Sequence, residues 1–245
     1  MKMSPIAAAV AVASTVLSGA AFAVPVTFFG QDLTATNSEI AHPNSDAAQA
    51  AFLATLVGVG TETFDTASTP AGTTPPIALT FPGAGTATLN GGGQVAAGAD
   101  GAGRYAISGN QYYNASNGNF SISFSSPIAA FGFFGVDIGD YAGLLSLQLT
   151  DSGGNVTNLA IPMTPGANGS TNGNVLYFGF YDLTTQYTNI SFVNPSGGAD
   201  VFAFDDVTIG ALNQVQPTPE PSALALVGIA IAGLGWQRRR SAKKA

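Results

Sequence analysis

The chain of 245 residues contains no cysteine and a single histidine, and only 9% of its residues are charged. Between Val24 and Pro221 it has no lysine, and Arg104 is the only cation. A chain without thiols cannot form disulfides, bind a metal through sulfur or use cysteine catalysis. Without lysine, this stretch also lacks the amine that Schiff-base chemistry needs. Several classes of enzyme are therefore excluded.

The charge balance excludes one class of partner. All fourteen Asp and Glu residues lie between residues 24 and 221, so with one arginine this stretch has a formal charge of −13. Nucleic-acid binding depends on clustered Lys and Arg that neutralise phosphates. We therefore exclude nucleic acid as a partner. The length of the stretch suits one domain of roughly 150 to 200 residues with its own core.

The first 23 residues have the pattern of a signal peptide. Lys2 precedes an apolar run over residues 6–17, and Ala21-Phe22-Ala23 ends the segment. Small residues such as Ala21 and Ala23, at the third-last and last positions, suit signal peptidase. We predict export with cleavage after Ala23. The alternative is an anchor that stays in the membrane, but the apolar run is short for a span.

The C-terminal region contains a second apolar segment, residues 222–236. As a helix it measures about 22 Å, less than the roughly 30 Å of a bilayer core. Trp236 at its end, and the five basic residues that follow, favour a membrane segment over a core helix, because both groups belong at the membrane surface. We predict a transmembrane sorting helix here, with residues 237–245 as a basic cytoplasmic tail.

Three parts follow one another at this end of the chain: Pro219-Glu220-Pro221, the short Gly, Ala and Leu-rich helix, and the cluster Arg238, Arg239 and Arg240. This order resembles the PEP-CTERM sorting signal of exopolysaccharide-producing Gram-negative bacteria. The resemblance implies recognition by an exosortase, a membrane cysteine protease or transpeptidase that removes the helix near the motif. It also implies a transient inner-membrane stage, before the protein reaches the cell envelope, the cell surface or the extracellular space.

The exported part begins with a strand from Val26 to Phe29 and one helix. Asn44 or Ser45 is expected to cap this helix, Asp46 suits its positive end, and Gly58 is expected to end it. Four apolar residues share one face and should dock on the rest of the body: Phe52, Leu53, Leu56 and Val57.

From residue 61 to 211 the pattern is one of short strands. Residues 120–124 alternate so that Phe120, Ile122 and Phe124 face a core, and similar alternation occurs at residues 145–149 and 190–192. The runs 128–136, 175–181 and 201–209 are almost continuously apolar, which indicates strands buried on both faces. The pattern predicts a mainly β fold, an antiparallel sandwich of jelly-roll type with one N-terminal helix.

The body also resembles a recurring type of PEP-CTERM protein that has no assigned activity, at residues 28–33, 46–65, 81–87, 128–140 and 204–210. The predicted organisation has six parts: a signal peptide (1–23), a strand and docking helix (24–60), the sandwich (61–211), a proline-rich linker (212–221), the sorting helix (222–236) and the tail (237–245).

One group of carboxylates is similar to a calcium site. Jelly-roll carbohydrate-binding modules often hold a structural calcium between their first and last strands, and the matching residues here are Glu62, Asp65, Asp205 and Asp206. Strand parity adds an argument from the residues, because Phe204 and Val207 can both face the core only if a bulge lies at Asp205-Asp206. Calcium accepts such oxygens. The alternative is that backbone amides bind these carboxylates.

Sugar contact would need exposed aromatic side chains. The candidates are Tyr112, Tyr113 and Tyr141, with Tyr105 and Tyr187 as further loop-flanking tyrosines, although each can equally be a strand or loop tyrosine with a wet hydroxyl. Asp137 and Asp140 beside Tyr141 could line a sugar or metal site, or serve turn geometry.

For catalysis the sequence offers little. His42 would have to supply any Ser-His-Asp triad, and no pair of carboxylates is singled out for glycoside hydrolysis. We expect a non-catalytic structural protein of the exopolysaccharide or biofilm envelope. The alternative is a calcium-assisted, lectin-like module, and the third possibility is a hydrolase acting on polysaccharide.

Overall fold

The computed structural model describes residues 24–33, 40–115, 120–139, 143–166, 171–194 and 201–216. The predicted signal peptide with Ala21 and Ala23, the sorting helix and the basic tail lie outside these ranges. Within them, no helix is long and apolar enough to cross a membrane.

The elements in chain order are one helix, thirteen strands and a final 3₁₀ turn within the described ranges: β1 (Val26–Asp32), α1 (Pro43–Leu53), β2 (Thr61–Glu62), β3 (Ile77–Phe81), β4 (Gly85–Gly91), β5 (Gln94–Ala97), β6 (Gln111–Ala115), β7 (Phe120–Ile128), β8 (Ala130–Val136), β9 (Ser146–Asp151), β10 (Val156–Ala160), β11 (Val175–Tyr181), β12 (Tyr187–Val193), β13 (Phe202–Gly210) and the turn Leu212–Gln214.

The strands form two antiparallel sheets. The first has the order β1-β11-β8-β13-β6-β5, with β2 also paired to β13, and the second has the order β10-β9-β12-β7-β4-β3. β1 is thus an edge strand of the first sheet, which joins the N-terminal segment to the sandwich. The predicted fold class, an antiparallel β-sandwich with one helix, is confirmed.

Phenylalanine rings fill the space between the two sheets. Phe120 and Phe192 of the second sheet stack with centroids 4.1 Å apart. Phe192 also packs against Phe133 and Phe204 of the first sheet, at 5.2 Å and 5.4 Å. Such edge and offset contacts add to the free energy gained from burying the rings. The alternation predicted for β7 is confirmed, since Phe120, Ile122 and Phe124 all lie in this core.

The central strands of the first sheet are buried on both faces, as predicted. Every residue of β8 and β13 is buried, and so is every residue of β11 except Tyr181. A second apolar cluster on the outer face explains this, because α1 and the segment around Tyr105 cover the sheet there. The protein therefore has three layers: the second sheet, the first sheet and this outer cover.

A distant carboxylate, and not the expected local residues, caps α1. The helix begins at Pro43 with His42 at the N-cap position. The backbone N–H groups of Asn44 and Ser45 donate to Asp32 of β1, at 3.2 and 2.9 Å. These are donors that the first turn of a helix leaves free. Burial opposes ionisation of Asp32, but the hydrogen bonds from Ser45 and Asn44 outweigh it and lower its pKa.

The predicted C-terminal end of the helix is also wrong. α1 ends at Leu53, with Ala54 as its C-cap, well before Gly58. Phe52 is fully buried and Leu53 and Leu56 are partly buried, but Val57 is 47% exposed and does not dock. Beyond the helix, residues 55–58 contact the C-terminal segment of the body instead.

Two glycines explain how closely α1 approaches the sheet. Gly132 of β8 and Gly179 of β11 are directly paired. A Cβ at Gly132 would lie 2.8 Å from Phe52, and one at Gly179 would lie 3.0 Å from it. Glycine within a strand often marks such a close approach. The similar sequences at 131–137 and 178–182 thus supply the two halves of one groove, which holds Phe52.

We expect Gly132→Ala to lower the free energy of unfolding by about 1 to 3 kcal/mol, the usual cost of overpacking a core. The added methyl group would displace Phe52 and the hydroxyl of Tyr177, because both lie too close to the Cβ position. Urea unfolding measures the change. Gly153→Ala, in the exposed β9–β10 turn, is the control.

A double-mutant cycle with Phe52→Leu identifies the cause. If the groove holds Phe52, the smaller side chain recovers part of the loss caused by Gly132→Ala. Strictly additive losses would contradict this explanation.

Candidate functional site

The bulge predicted from strand parity is confirmed. Phe202, Phe204, Val207 and Ile209 all face the core between the sheets. The register of β13 against β8 shifts between Asp205 and Thr208. Asp206 lies at the shift with φ +49°, the left-handed region in which aspartate is tolerated better than most residues. Both carboxylates are buried, at 0% and 8% exposure.

The side chain of Asp205 fixes the segment that covers the first sheet. One carboxylate oxygen accepts the backbone N–H groups of Ile107 and Ser108, at 2.8 and 3.3 Å. The other accepts the N–H of Asp206 at 2.8 Å. Burial raises the pKa of Asp205 well above its ordinary value, and the charge of Asp206 adds to this, while the amide hydrogen bonds act in the opposite direction.

Asp206 connects the same segment to α1. Its carboxylate accepts the hydroxyl of Ser108 and the side-chain amide of Gln49. Burial raises the pKa of Asp206, and the nearby charge of Asp65 raises it further, while Ser108 and His42 lower it. The two aspartates are successive residues of β13, and together they hold the segment around Ser108 and the helix α1 against the first sheet.

The other two predicted calcium ligands lie close by. Glu62 of β2 pairs with Val207 of β13, and its carboxylate accepts the N–H of Phe64 at 2.8 Å. Burial raises the pKa of Glu62, although the bond from Phe64 opposes this. Asp65 accepts the N–H of Asn110 at 3.0 Å. Phe64 between them has φ +59°, a strained conformation for a bulky residue.

These contacts test how well the four residues fit a calcium ion. Among the residues that the structure describes, no three His, Cys, Asp or Glu side chains are placed to hold a metal together. Glu62, Asp65 and Asp205 each accept backbone amides, and Asp206 accepts a hydroxyl and an amide side chain. The donor set does not fit the six to eight oxygens that calcium requires. Calcium remains a prediction of the sequence, and the hydrogen bonds favour the amide-bound alternative.

The second acidic cluster is described in part, because Asp140 and Tyr141 lie outside the described ranges. Asp137 has φ +70° and is 3% exposed. Its carboxylate accepts the N–H of Gly173 at 2.9 Å, and its own N–H donates to Asn174 at 2.8 Å. Asp137 therefore closes the ends of β8 and β11 against each other, a role in turn geometry.

The prediction that Tyr112 and Tyr113 contact sugar is wrong, because both side chains are fully buried. Tyr113 points between the sheets, stacks with Phe64 and donates to Gly92 at 3.1 Å. Tyr112 faces the opposite way, in the second cluster. Burial raises the pKa of each hydroxyl to about 12. Tyr105 and Tyr187 are buried as well.

His42 lies between Asp46 of α1 and Phe134 of β8. Its Nδ1 atom lies 2.9 Å from the carboxylate of Asp46, and its ring packs edge-on against Phe134. As the N-cap residue of α1, it belongs to the contact between the helix and the first sheet.

A surface that sequence reasoning missed covers the outer side of the second sheet. Cross-strand pairing aligns two rows of polar side chains there. We call these nine residues the polar face: Thr88, Ser123, Asn189 and Thr150 in one row, and Asn90, Ser121, Ser191, Gln148 and Asn158 in the other. All nine are half-buried or exposed. None is charged or aromatic.

The signal for the polar face was present in the alternation. In β7 the residues between Phe120, Ile122 and Phe124 are both Ser, and in β12 Ile190 lies between Asn189 and Ser191. Side chains along a strand alternate between faces, so the apolar half of the pattern defines a core and the other half defines a surface.

The described body is thus an antiparallel β-sandwich with an acidic cluster bound by amides and an uncharged polar face. Residues 217–240 match the PEP-CTERM protein-sorting motif. The chain carries this motif, as predicted, with Pro219, Glu220, Pro221 and Arg238 to Arg240 inside it. The motif implies an exported protein that is held in the membrane before an exosortase processes it.

Comparison with curated protein sequences gave no match. Among solved structures, the chain is similar to the CBM22-1 xylan-binding domain of Paenibacillus barcinonensis Xyn10C, with 14% identity over 65% of this chain and 96% of that chain and a TM-score of 0.38. The chain is also similar to the C-terminal family 22 carbohydrate-binding module of Clostridium thermocellum Xyn10B, with 16% identity over 64% of this chain and 97% of that chain and a TM-score of 0.34. A third similar structure is the K2 cleaved adhesin domain of Lys-gingipain, with 13% identity over 62% of this chain and 97% of that chain and a TM-score of 0.37.

We expect the free energy of unfolding to fall as the pH rises above the ordinary pKa of an aspartate. The pKa values of Asp205 and Asp206 are raised in the folded protein, so the folded state binds their protons more tightly than the unfolded state does. This contribution to stability is complete at low pH and is lost as the pH rises through the folded-state pKa values. Asp206→Asn should make this loss smaller, because it removes one ionising group and its repulsion of Asp205. Asparagine also tolerates the positive φ.

Urea unfolding between about pH 5 and about pH 8, with EDTA present throughout, measures the loss. Asp151→Asn is the control, because hydrogen bonds from Asn155 lower the pKa of this exposed aspartate and keep it ionised over that range. An equal pH dependence in the wild type and Asp206→Asn would contradict the prediction.

Proposed function

We propose that this protein is a non-catalytic structural component of the cell surface or the exopolysaccharide matrix, delivered there by exosortase processing. The observation that carries the proposal is the PEP-CTERM motif at residues 217–240, which begins seven residues after β13, the last strand of the sandwich, ends at Gly210. A signal that acts at the membrane and is then removed suits a body whose place of action lies beyond it.

The chemistry of the body supports a structural role. The buried carboxylates of Asp205 and Asp206 bind the cover of the first sheet, and Asp32 caps α1. His42 lies beside Asp46 at the start of the helix, with its ring packed against Phe134. The groups best suited to acid–base work thus have structural partners in this fold.

Replacement of Pro219, Glu220 and Pro221 by alanine tests the proposal in cells that contain an exosortase. We expect the full-length chain to accumulate in the membrane fraction and the shortened form to disappear, because the motif is what the protease would recognise. Mass spectrometry of the C-terminus is the measurement. Pro162→Ala, an exposed proline of the body, should be processed like the wild type. Unchanged removal of the tail in the triple variant would overturn the proposal.

A second candidate function, binding of a neutral polysaccharide, is favoured by the polar face. Its hydroxyl and amide side chains both donate and accept hydrogen bonds, as sugar hydroxyl groups do. Neighbouring strands place them about 4.8 Å apart in each row. The exported stretch has a formal charge of −13, which opposes acidic polymers. An uncharged surface on such a body suits an uncharged partner.

Ser191→Arg tests this second function, because it places a long charged side chain at the centre of the polar face. We expect the variant to lose retention on an insoluble neutral polysaccharide, measured by co-sedimentation of the full-length chain in a polyoxyethylene detergent. Ser152→Arg, in the exposed turn after β9, carries the same charge outside the polar face and should bind like the wild type. Equal retention of the two variants, or none by the wild type, would contradict the function.

A further inference from the structure

The last described residues of the chain are held against the body. The N–H of Gln216 donates to Thr55 at 2.7 Å, and the N–H of Val57 donates to Gln214 at 2.9 Å. Between these bonds, Val215 forms an antiparallel bridge with Leu56 and is 8% exposed. We call this arrangement, residues 211–216 against residues 55–58, the C-terminal clamp.

The side chain of Gln214 is the central polar group of the clamp. Its Nε2 atom donates to the carbonyl groups of Gly58 and Pro82, at 2.7 and 3.0 Å. Its Oε1 atom accepts the N–H of Ala211 at 3.0 Å. The residue is 6% exposed, and its loss would remove three hydrogen bonds to part-buried backbone groups. The amide therefore links the last turn to two separate loops.

The clamp ends one residue before the sorting motif begins at residue 217. An extended chain covers at most about 3.6 Å per residue, so Pro219 lies within about 11 Å of Gln216. A body of this size has a radius of gyration of about 16 Å. While the clamp is closed, the folded body must therefore lie directly beside the motif and occupy space that a protease would need.

We propose that opening of the C-terminal clamp precedes processing at the sorting motif and sets its rate. This inference rests on the proposed function, since it concerns the same motif. Proteases act on locally exposed and extended segments. When opening and closing are fast, the rate of cleavage follows the population of the open form. Residues 211–216 supply the chain that must be released before the protease can bind on the N-terminal side of Pro219.

The clamp is suited to open without unfolding of the sandwich. It lies outside the sheet hydrogen bonds of β13, which end at Gly210. A short segment held by few hydrogen bonds can open locally at a much smaller free energy than global unfolding. Release of residues 211–216 would leave both sheets paired.

Gln214→Ala and a spacer test the inference in pulse-chase experiments on the full chain in exosortase-containing cells. We expect Gln214→Ala to accelerate removal of the tail roughly three- to tenfold, because it raises the open population. Insertion of about six Gly and Ser residues after Gln216 should accelerate it as well, because the added reach makes opening unnecessary. Asn213→Ala changes an exposed neighbour in the same turn and should keep the wild-type rate.

The combination of Gln214→Ala with the spacer separates clamp opening from a general loss of stability. If the clamp limits processing, the combined variant is processed no faster than the spacer variant alone. A further acceleration in the combined variant, or wild-type rates in both single variants, would overturn the inference. Mass spectrometry must show an intact body after loss of the tail, which excludes degradation of unfolded chains as the source of the signal.

The same cells separate this inference from the proposed function. If alanine at residues 219–221 leaves removal of the tail unchanged, the proposed function fails. If that variant is not processed but clamp opening has no effect on the rate, only the inference about the clamp fails.

Discussion

The contact of Phe52 with the glycine groove is the interaction on which the rest of the fold depends. It brings α1 onto the outer face of the first sheet, and there the helix covers apolar residues that would otherwise face water. β8, β11 and β13 can be apolar on both faces only because of this cover. Glycine at positions 132 and 179 costs conformational entropy on folding, and burial of a complete phenylalanine ring offsets that cost. The N-terminal segment is therefore a structural layer of the sandwich.

The scarcity of basic residues explains which groups bind the buried carboxylates. With Arg104 as the only cation of the exported stretch, buried acids have almost no ion-pair partners. Asp32, Asp205 and Asp206 instead accept backbone N–H groups, hydroxyls and amides from segments distant in sequence. At Asp32, where the hydrogen bonds lower the pKa, the acceptor is charged, and such bonds are stronger than neutral ones. Each of these three aspartates thus joins a strand to the layer above it, which in other proteins is often the task of a salt bridge.

Much of the fold was predictable because alternation is a local property. Phe120, Ile122 and Phe124 share a face by the geometry of any strand, and the parity break between Phe204 and Val207 required a bulge wherever the strand was placed. The cap of α1 was not predictable in this way. Asp32 reaches the helix from 12 residues away, and only the pairing of β1 with β11 brings it there. Local candidates such as Asn44 were the natural expectation.

In the candidate site, too, local features could be predicted and features that depend on tertiary packing could not. The sorting motif is a linear signal and could be found from the sequence, whereas exposure depends on packing. Tyr112 and Tyr113 flank loops in the sequence, but the two clusters on either side of β6 bury them. The polar face is formed by five strands whose order, β10-β9-β12-β7-β4, does not follow the chain. Its rows become visible only when that order is known.

The position of the clamp also determines how the body bears load. A pull on the C-terminal tail reaches residues 214–216 before it reaches any strand, because they lie between β13 and the tail in the sequence. Their few bonds to residues 55–58 would yield first and lengthen the tether by several residues. β13 lies in the interior of its sheet between β8 and β6, and would stay paired. Under such a pull the clamp would act as a short extensible link between the sandwich and its point of attachment.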